Sequence, residues 1–536
     1  MKSVLNNLKI LFNDFYFLIV VAVCVALFLL KLPYLELPYF SDELWVYGPS
    51  LRKMGSNFPS LLPSSLNIEE HWGHPLMYFF IGSIWCMIFG TSIISTHIFS
   101  AVVSTFLLIT IYIIVKKVFN KQLAFFSVVV FASQSIFLGQ YNLVLPEIML
   151  TLFMFVCLYA YINKKNVLYI VAGACLVLIK ETGVLFIGSI ILWHFLKNMI
   201  YEKNYKLNFN TLKNYIFLLF PLFFIAIHVL MLKYLYGWFI VPKRVEHFTF
   251  SWEIYYDRIR DTFYYIFINQ GRKSITLVLF VALILFYNKI KIWQRIILFV
   301  FVFSLIKIFF NYWKLPAIFP MIIVPIIISV LTKFLFWDTY KAKKETGNFI
   351  AISTLFIYVY ILFSASQFDS LRYLLCVIPL AIIIVFFTVQ NNLPKFKTWL
   401  LPILTILFIS TSIIYIIKDE NFGDDTLNYN QACDINLEAV HYMESKDFYE
   451  HNIQVPFLFK YQLTDYKTGY LKTEKSFTNV NAYDVNQTEF NEKQIYVFTN
   501  VDVPVFYKQL KESGKFRLDK RITKGIHWVE IYLPIN

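Results

Sequence analysis

The sequence predicts an all-α polytopic membrane protein with a small extracytoplasmic α/β domain at its C-terminal end. Of the 536 residues, 58% are hydrophobic and only 15% are charged, whereas soluble proteins contain roughly a quarter charged residues. Long apolar runs alternate with short basic clusters, and only the final stretch is polar throughout. These observations divide the chain into a transmembrane region, 1–417, and an extracytoplasmic region, 418–536.

Apolar runs that are long enough, or nearly long enough, to cross a bilayer follow one another along the transmembrane region. They lie at 15–32, 93–115, 121–139, 145–162, 167–180, 184–197, 214–236, 274–288, 296–312, 316–334, 349–366, 371–390 and 398–417. Several are shorter than the ~20 residues that a straight spanning helix needs. Their length implies local thinning of the bilayer, burial among neighbouring helices or broken helices.

The charges of the connecting loops predict the orientation of these spans. With the N-terminus inside, the loops on the inner face are all basic, as the positive-inside rule requires. These loops lie at 116–121, 163–166, 197–206, 288–295, 341–344 and 394–397. The pattern holds only if the further apolar run at 75–90 enters the outer leaflet without crossing. About 13 crossings follow, with the run at 15–32 as a retained anchor and the C-terminus outside.

Three larger segments then lie on the outer face. The first loop, 33–73, contains an acidic pair, and the loop at 237–273 is rich in aromatic and charged residues, which predicts a helix at the membrane interface. The third segment, 418–536, shows alternating apolar and polar residues at 494–501 and 527–535, between helix-like stretches. This alternation predicts strands, and therefore a small α/β domain.

The charge and the cysteines exclude other classes of protein. The net charge of +14 would suggest a nucleic-acid partner in a soluble protein, but most of the Lys and Arg residues lie in short loops between spans, so no such partner is predicted. Five of the six cysteines lie in apolar runs and Cys433 has no near partner, so no disulfide framework is implied.

Ionisable residues gather at the outer ends of the predicted spans, where they are costly and usually functional or paired. The residues on this face are Asp42, Glu43, Arg52, His74, Glu147, Lys180, Glu181 and Arg372. The alternative for the acidic pair is an ordinary solvated loop. The alternative for Lys180 is a lysine that snorkels to the membrane surface or forms an ion pair with Glu181. The number of ionisable residues on one face favours a functional site over these alternatives.

The residue types at this face predict phosphate chemistry. Arg372 and Arg52 suit a phosphate through the planar fork of the guanidinium, and Lys180 suits it as a point charge. A carboxylate beside such a phosphate would act as a general base that takes a proton from an incoming hydroxyl or amine. The pattern therefore indicates a reaction on a lipid phosphate that is anchored in the bilayer.

A metal site is the less favoured interpretation of the stretch EEHWGH at 69–74. Glu and His are common metal ligands, but the HExxH spacing is absent, and histidines at the end of a loop usually serve as hydrogen-bonding residues. We therefore predict no metal and no resident cofactor, with a divalent cation as the alternative. Single histidines in apolar runs, such as His97 and His228, are predicted to be core residues.

Five motifs together resemble the GT-C superfamily of membrane glycosyltransferases, in the protein-mannosyltransferase-like family that includes the lipid A aminoarabinose transferase. They are, in chain order, SDELWVYGPSLRKM, GHPLMYFFIGSIWCMIFG, LVLPEIMLTLFMF, LIKETGVLF and RYLLCVIPL. The resemblance covers roughly residues 15–390 and implies a GT-C fold. It also implies a sugar donor that is a polyprenyl phosphate at the outer face of the membrane.

The resemblance assigns a role to each matching residue. Asp42 matches the family's catalytic acidic residue, and Glu43 beside it is predicted to be catalytic as well. Arg52, Lys180 and Arg372 match basic residues that contact the donor phosphate in the family. Supporting positions are matched by His74, Glu147 and Tyr373. The chain departs from the family at residue 142, which is Asn where the family often has Arg, and at Lys180, which Glu-Thr-Gly follows where the family has Gly directly.

Two functions follow from the sequence as hypotheses. The first is a glycosyltransferase of the cell envelope, in which Asp42 deprotonates a glycan, lipid or protein acceptor and the anomeric carbon is inverted. Its location would be a bacterial inner membrane, where membrane lipids surround it. The alternative is a transporter or flippase, which would need ionisable residues at mid-span facing a cavity. Because the candidate residues cluster at one face, the glycosyltransferase is favoured.

Overall fold

The computed structural model describes residues 13–202, 209–245, 251–286, 337–366 and 370–535. The predicted spans at 296–312 and 316–334, and the predicted basic loop at 288–295, lie outside these residues.

The first described part of the chain is almost entirely helical. Its helices are α1 (Phe15–Lys31), α2 (Tyr47–Ser56), α3 (Ile68–His71), α4 (Met77–Phe89), α5 (Ile93–Val118), α6 (Lys121–Ala132), α7 (Ser135–Gln140), α8 (Glu147–Ile162), α9 (Asn166–Ile179) and α10 (Gly183–Leu196). Polar caps start several of them: the Ser92 side chain accepts a hydrogen bond from the Ser95 amide at α5, and Asn120 accepts one from the Leu123 amide at α6. Such caps satisfy amides that have no partner within the helix.

The second helical part runs to residue 418. Its helices are α11 (Phe209–Tyr236), α12 (Pro242–Val245), α13 (Trp252–Phe267), α14 (Lys273–Phe286), α15 (Trp337–Ala342), α16 (Lys344–Ser364), α17 (Ile378–Asn392) and α18 (Lys397–Lys418). A 3₁₀ turn at Leu371–Cys376 precedes α17. Helix α13 lies within the stretch 237–273, for which a helix was predicted.

Six helices of the described residues are long and apolar enough to cross a membrane, so the chain is an integral membrane protein. They lie at Phe15–Tyr34, Ile93–Val118, Leu212–Tyr236, Lys344–Ser364, Leu371–Asn392 and Thr398–Lys418. The prediction of about 13 crossings is not confirmed, because the apolar helices α4, α6, α8, α9 and α10 are shorter. Helix α4, which falls in the ambiguous run at 75–90, has 13 residues and is about 20 Å long.

Helix α8 lies in the interior of the helical region and is buried along most of its length. Helix α8 contacts α9 and α5, α6 contacts α17, and α10 contacts α16. One apolar core joins these helices to the C-terminal domain. The packing brings together the start of α8, the end of α9 and the turn before α17, although long stretches of sequence separate them.

The polar C-terminal region folds as the predicted α/β domain. Its strands are β1 (Ile453–Val455), β2 (Val480–Ala482), β3 (Ile495–Thr499), β4 (Phe516–Lys524) and β5 (His527–Pro534), and its helices are α19 (Tyr429–Ser445), α20 (Phe457–Thr464) and α21 (Tyr507–Glu512). The strand order is β2-β1-β3-β5-β4, parallel at β2-β1-β3 and antiparallel at β3-β5-β4. The strands that alternation predicts near 494–501 and 527–535 are confirmed as β3 and β5.

The C-terminal domain lies directly on the first loop. The Tyr470 hydroxyl donates to the Tyr39 carbonyl oxygen at 3.1 Å, and the Tyr39 amide donates to the carbonyl oxygen of Thr468 at 3.0 Å. Gly469 has a φ of +93°, and a Cβ there would lie 2.7 Å from the side chain of Ile93. This close approach at a left-handed φ requires glycine.

Candidate active site

A short 3₁₀ turn, Ser41–Glu43, presents the acidic pair of the first loop. Ser41 has a φ of +57°, which is unusual for a residue other than glycine and marks local backbone strain. Glu43 is fully buried. Its carboxylate accepts hydrogen bonds from the amide of Phe40 at 2.9 Å and from the amide of Val144 in the turn before α8. Glu43 therefore fastens the loop to the helices.

This geometry does not favour the catalytic role that the sequence predicts for Glu43. Both carboxylate oxygens accept backbone amides, and one of them also lies 3.4 Å from Nε2 of His97. His97 in turn donates from Nδ1 to the carbonyl oxygen of Leu35 at 3.0 Å. The arrangement holds the backbone on both sides of Asp42, so Glu43 positions its neighbour.

Asp42 faces the other way, towards a buried arginine. Its Oδ1 accepts a hydrogen bond from Nε1 of Trp45 at 3.0 Å, and its Oδ2 forms an ion pair with Arg372. Burial raises the pKa of the Asp42 carboxyl, but the guanidinium of Arg372 more than offsets this effect, so that the pKa lies below its usual value. Asp42 is therefore a carboxylate at neutral pH.

Arg372 is the centre of the cluster. It lies in the 3₁₀ turn before α17 and its side chain is only 3% exposed. Its two terminal nitrogens pair with Asp42 and Asp424, and its Nε lies 3.5 Å from Oε1 of Glu147. Gln140 donates to the carbonyl oxygen of Arg372 at 3.2 Å. A buried guanidinium with several carboxylate partners satisfies the requirement that buried charges be paired.

Lys180 enters the same cluster from a break between α9 and α10. Its backbone is extended, with φ −153° and ψ 138°. The ammonium nitrogen lies 2.8 Å from Oε1 of Glu147 and 3.4 Å from the ring centroid of Tyr373. An aromatic face at this distance stabilises a cation. Because Glu147 lies between Lys180 and Arg372, one carboxylate joins the two cations.

The cluster therefore unites three carboxylates and two cations. With Asp42, Glu147 and Asp424 ionised against Lys180 and Arg372, its formal charge is −1. All five groups lie at the ends of helices or in the connections between them. A bound phosphate would meet both cations here, next to a carboxylate that is able to accept a proton.

The structure brings together five of the eight predicted site residues. The five are Asp42, Glu147, Lys180, Arg372 and Tyr373. Arg52 instead donates to the carbonyl oxygen of Lys467 and pairs with Asp465 at 2.9 Å, so its guanidinium lies against the C-terminal domain. Nδ1 of His74 lies 3.1 Å from Oε2 of Glu181.

Two contributors to the cluster were missed by the sequence analysis. Asp424 pairs with Arg372, and the hydroxyl of Ser41 donates to Oδ2 of Asp424 at 2.8 Å. A usable signal for Asp424 exists in the sequence. Asp424 and Asp425 form an acidic pair just after the last apolar run, as Asp42 and Glu43 do after the first.

In the parts of the chain that the structure describes, no group of three or more His, Cys, Asp or Glu side chains is arranged to hold a metal ion. The carboxylates of the cluster face Lys180 and Arg372. The histidine-rich stretch at 69–74 contributes the Nδ1 of His71 as an acceptor for the Gly73 amide at 3.1 Å.

Residues 73–231 match the model of a family that is described as dolichyl-phosphate-mannose-protein mannosyltransferase. The matched segment includes His74, Glu147 and Lys180. The resemblance to protein-mannosyltransferase-like membrane glycosyltransferases is therefore confirmed over this segment. No curated protein matches the chain.

Two solved structures align with most of this chain. ArnT from Cupriavidus metallidurans bound to undecaprenyl phosphate has 11% identity and a TM-score of 0.47, with 96% of this chain and 97% of that chain covered. The oligosaccharyltransferase from Archaeoglobus fulgidus in the apo form has 12% identity and a TM-score of 0.44, with 88% of this chain and 66% of that chain covered. At TM-scores below 0.5, these similarities support no inference about this chain.

Proposed function

We propose that this integral membrane protein, whose residues 73–231 are similar to the protein mannosyltransferases, is a glycosyltransferase that uses a polyprenyl-phosphate sugar. The donor's lipid would lie in the bilayer, and the acceptor would be a hydroxyl or amine of a glycan, lipid or protein. The reaction would take place at the outer face of a bacterial inner membrane, with the N-terminus inside.

The observation that supports the proposal most strongly is the position of Asp42 beside the two cations. The Asp42 carboxylate pairs with Arg372, and Glu147 links Arg372 to Lys180. A sugar phosphate held by the two cations would therefore have a carboxylate next to its anomeric carbon. The cations would stabilise the negative charge that grows on the leaving phosphate, which is where preorganised electrostatics contribute most.

The reaction balances without a cofactor. The acceptor oxygen or nitrogen forms a bond to the anomeric carbon while the bond from that carbon to the phosphate oxygen breaks. The electron pair of the broken bond stays on the phosphate, which leaves as the polyprenyl monophosphate beside Lys180 and Arg372. The proton of the acceptor moves to the carboxylate of Asp42. A single displacement of this kind inverts the configuration of the anomeric carbon.

The same geometry explains how a carboxylate with a low pKa would act as a base. Arg372 holds the pKa of Asp42 below its usual value against the opposing effect of burial. A phosphate that takes over part of the guanidinium would weaken this ion pair and raise the basicity of Asp42. Donor binding would thus prepare the base for its proton.

The transporter alternative is not favoured. A transport path needs ionisable residues near the middle of the spans. Here Glu147 begins α8, Lys180 follows the end of α9, and Arg372 lies in the turn before α17.

Asp42→Asn tests the proposed function directly. The purified chain would be supplied with polyprenyl-phosphate sugars and an acceptor, and released polyprenyl phosphate would be measured. Loss of a general base is expected to lower kcat by about 100- to 10,000-fold, with donor binding retained. Asp434→Asn is the matched control, because its carboxylate pairs with Lys524 on the exposed surface of the C-terminal domain and its turnover should equal that of the original chain.

Two further variants test the cations that bind the phosphate, separately from the base. Lys180→Ala and Arg372→Ala should raise the KM for the donor, because they remove charges that hold its phosphate. Full turnover by Asp42→Asn, or unchanged donor KM in both cation variants, would contradict the proposal.

A further inference from the structure

Asp424 lies on the segment that leads from the membrane to the C-terminal domain. This segment, 419–428, leaves α18 and enters α19, and it is not helical. Oδ2 of Asp424 pairs with Nη1 of Arg372 and accepts a hydrogen bond from Ser41 at 2.8 Å. The domain connection thus places a carboxylate on the cation that the proposed function assigns to the donor phosphate.

The charges in the cluster make this contact a competitor for that phosphate. Both terminal nitrogens of Arg372 already face carboxylates, Asp42 on one and Asp424 on the other. The cluster has a formal charge of −1 before a donor adds its own negative charge. Like charges at such distances in a buried site repel strongly. A phosphate can therefore bind well only if one carboxylate moves away.

The surroundings of the three carboxylates indicate which one moves. Glu147 is 1% exposed and lies between Lys180 and Arg372 in the first turn of α8. Asp42 is held by Glu43 at the next position, which is bonded to two backbone amides. Asp424 lies in a connection without regular structure, and its carboxylate contacts the side chains of Arg372 and Ser41. Rotation of the Asp424 side chain would break these two side-chain contacts and leave the backbone of the segment in place, so Asp424 is the carboxylate that we expect to move.

We propose that Asp424 is a displaceable counter-anion, which holds Arg372 until the phosphate of a polyprenyl-phosphate ligand takes its place. The inference rests on the proposed function and adds a specificity-determining residue to it. An uncharged lipid would not displace a carboxylate from a guanidinium, so Asp424 would select for ligands with a phosphate.

The test compares the affinities of the original chain and Asp424→Asn for farnesyl phosphate, a short polyprenyl phosphate, in detergent solution. The amide keeps the shape of the side chain but removes its charge, so farnesyl phosphate should bind about tenfold more tightly. Asp434→Asn removes one acidic charge elsewhere in the same domain and should leave the affinity unchanged. Farnesol and inorganic phosphate serve as separate ligands, to distinguish the lipid phosphate from its two parts.

Ser41→Ala provides a second variant that does not alter the charge. It removes the hydroxyl that donates to Asp424 and accepts from Arg372 at 3.3 Å, so it should loosen the contact between the two side chains and tighten farnesyl phosphate binding by a smaller factor, about two- to threefold. In turnover assays Asp424→Asn should lower the donor KM without raising kcat. If Asp424 merely positioned Arg372, its removal would raise the donor KM instead.

The outcomes separate the two proposals. If the original chain binds no farnesyl phosphate and releases no polyprenyl phosphate, the proposed function is wrong. If the original chain binds and turns over donor but Asp424→Asn binds farnesyl phosphate equally or more weakly, only the role of Asp424 is wrong. Equal tightening of farnesol in Asp424→Asn would also overturn that role, because farnesol has no charge to compete.

Discussion

Adjacent acidic residues in this chain have opposite environments, and their environments decide their chemistry. Asp42 points to Arg372, while Glu43 points to the backbone amides of Phe40 and Val144. The same holds for the second acidic pair. Asp424 contacts Arg372, whereas Asp425 accepts a hydrogen bond from Gln270 at 2.7 Å. One member of each pair serves the cationic cluster and the other secures the fold.

Asp425 gives a prediction about pH. Burial, followed by the charge of Asp424, raises the pKa of the Asp425 carboxyl from 3.8 to about 7. The folded chain therefore binds more protons than the unfolded chain between these two values, so stability falls as the pH rises from about 4 to about 7 and then levels off. Asp425→Asn cannot ionise, and its melting temperature should fall less than that of the original chain between pH 5 and pH 8.

The comparison needs the same detergent and buffer for both proteins. Asp434→Asn serves as the control. The carboxylate that it removes is exposed, so the pH dependence of the melting temperature should not change. Parallel melting profiles for the original chain and Asp425→Asn would refute the assignment of this pH dependence to Asp425.

At the level of elements, interruptions of helices supply the site. The extended residue between α9 and α10 is Lys180, and the turn that precedes α17 contains Arg372 and Tyr373. An uninterrupted helix would have placed these side chains along a membrane-spanning face. The breaks instead direct them to one cluster near the first residue of α8, Glu147.

Contact between helix α7 and segment 419–428 gives a second prediction. A Cβ at Gly139 would lie 2.8 Å from the amide nitrogen of Thr426 and 2.9 Å from the carbonyl carbon of Asp425, closer than packed atoms allow. Gly139→Ala must therefore push the segment away, at a cost of about 1–3 kcal/mol of stability. We expect a lower melting temperature and weaker protection of residues 423–426 against hydrogen exchange.

A matched alanine variant is available in α10. A Cβ at Gly188 would meet nothing within 4 Å, so Gly188→Ala should leave stability unchanged or increase it by up to about 1 kcal/mol, as alanine favours helices. An equal loss of stability in both variants would mean that the contact with segment 419–428 is unimportant.

At the level of the whole molecule, the C-terminal domain holds the first loop in place through hydrogen bonds. Backbone and side-chain hydrogen bonds join Tyr39 to Thr468 and Tyr470, and Arg52 reaches the domain through Lys467 and Asp465. The loop that presents Asp42 is therefore packed between the transmembrane helices and the domain. The domain is also connected to the cluster through segment 419–428, where Asp424 pairs with Arg372.

The contacts of Arg52 give the third prediction. Arg52→Ala should lower the protection of residues 465–470 against hydrogen exchange roughly tenfold, since it removes charge-assisted hydrogen bonds to the domain. The donor KM should change far less than in Arg372→Ala. Asp465→Asn should show the same pattern more weakly, because the carbonyl oxygen of Lys467 still accepts from Arg52.

The opposite pattern would support the role that the resemblance assigns to Arg52. A large rise in donor KM with unchanged hydrogen exchange at 465–470 would mean that Arg52 contacts the donor phosphate.

Long apolar runs, alternation in the C-terminal region and charge placement determined the class of this protein from its sequence alone: a polytopic membrane protein, with a C-terminal α/β domain and acidic and basic residues at helix ends. These features are local, because the length of an apolar run and the alternation of apolar and polar residues along a strand are set by residues close in sequence. Which charged side chains form ion pairs with one another was decided by the tertiary structure. Long-range packing placed Asp42 and Asp424 on the same guanidinium, turned Glu43 to the backbone and carried Arg52 to the C-terminal domain, since ion pairs form between groups that folding brings within a few ångströms, whatever their separation along the chain.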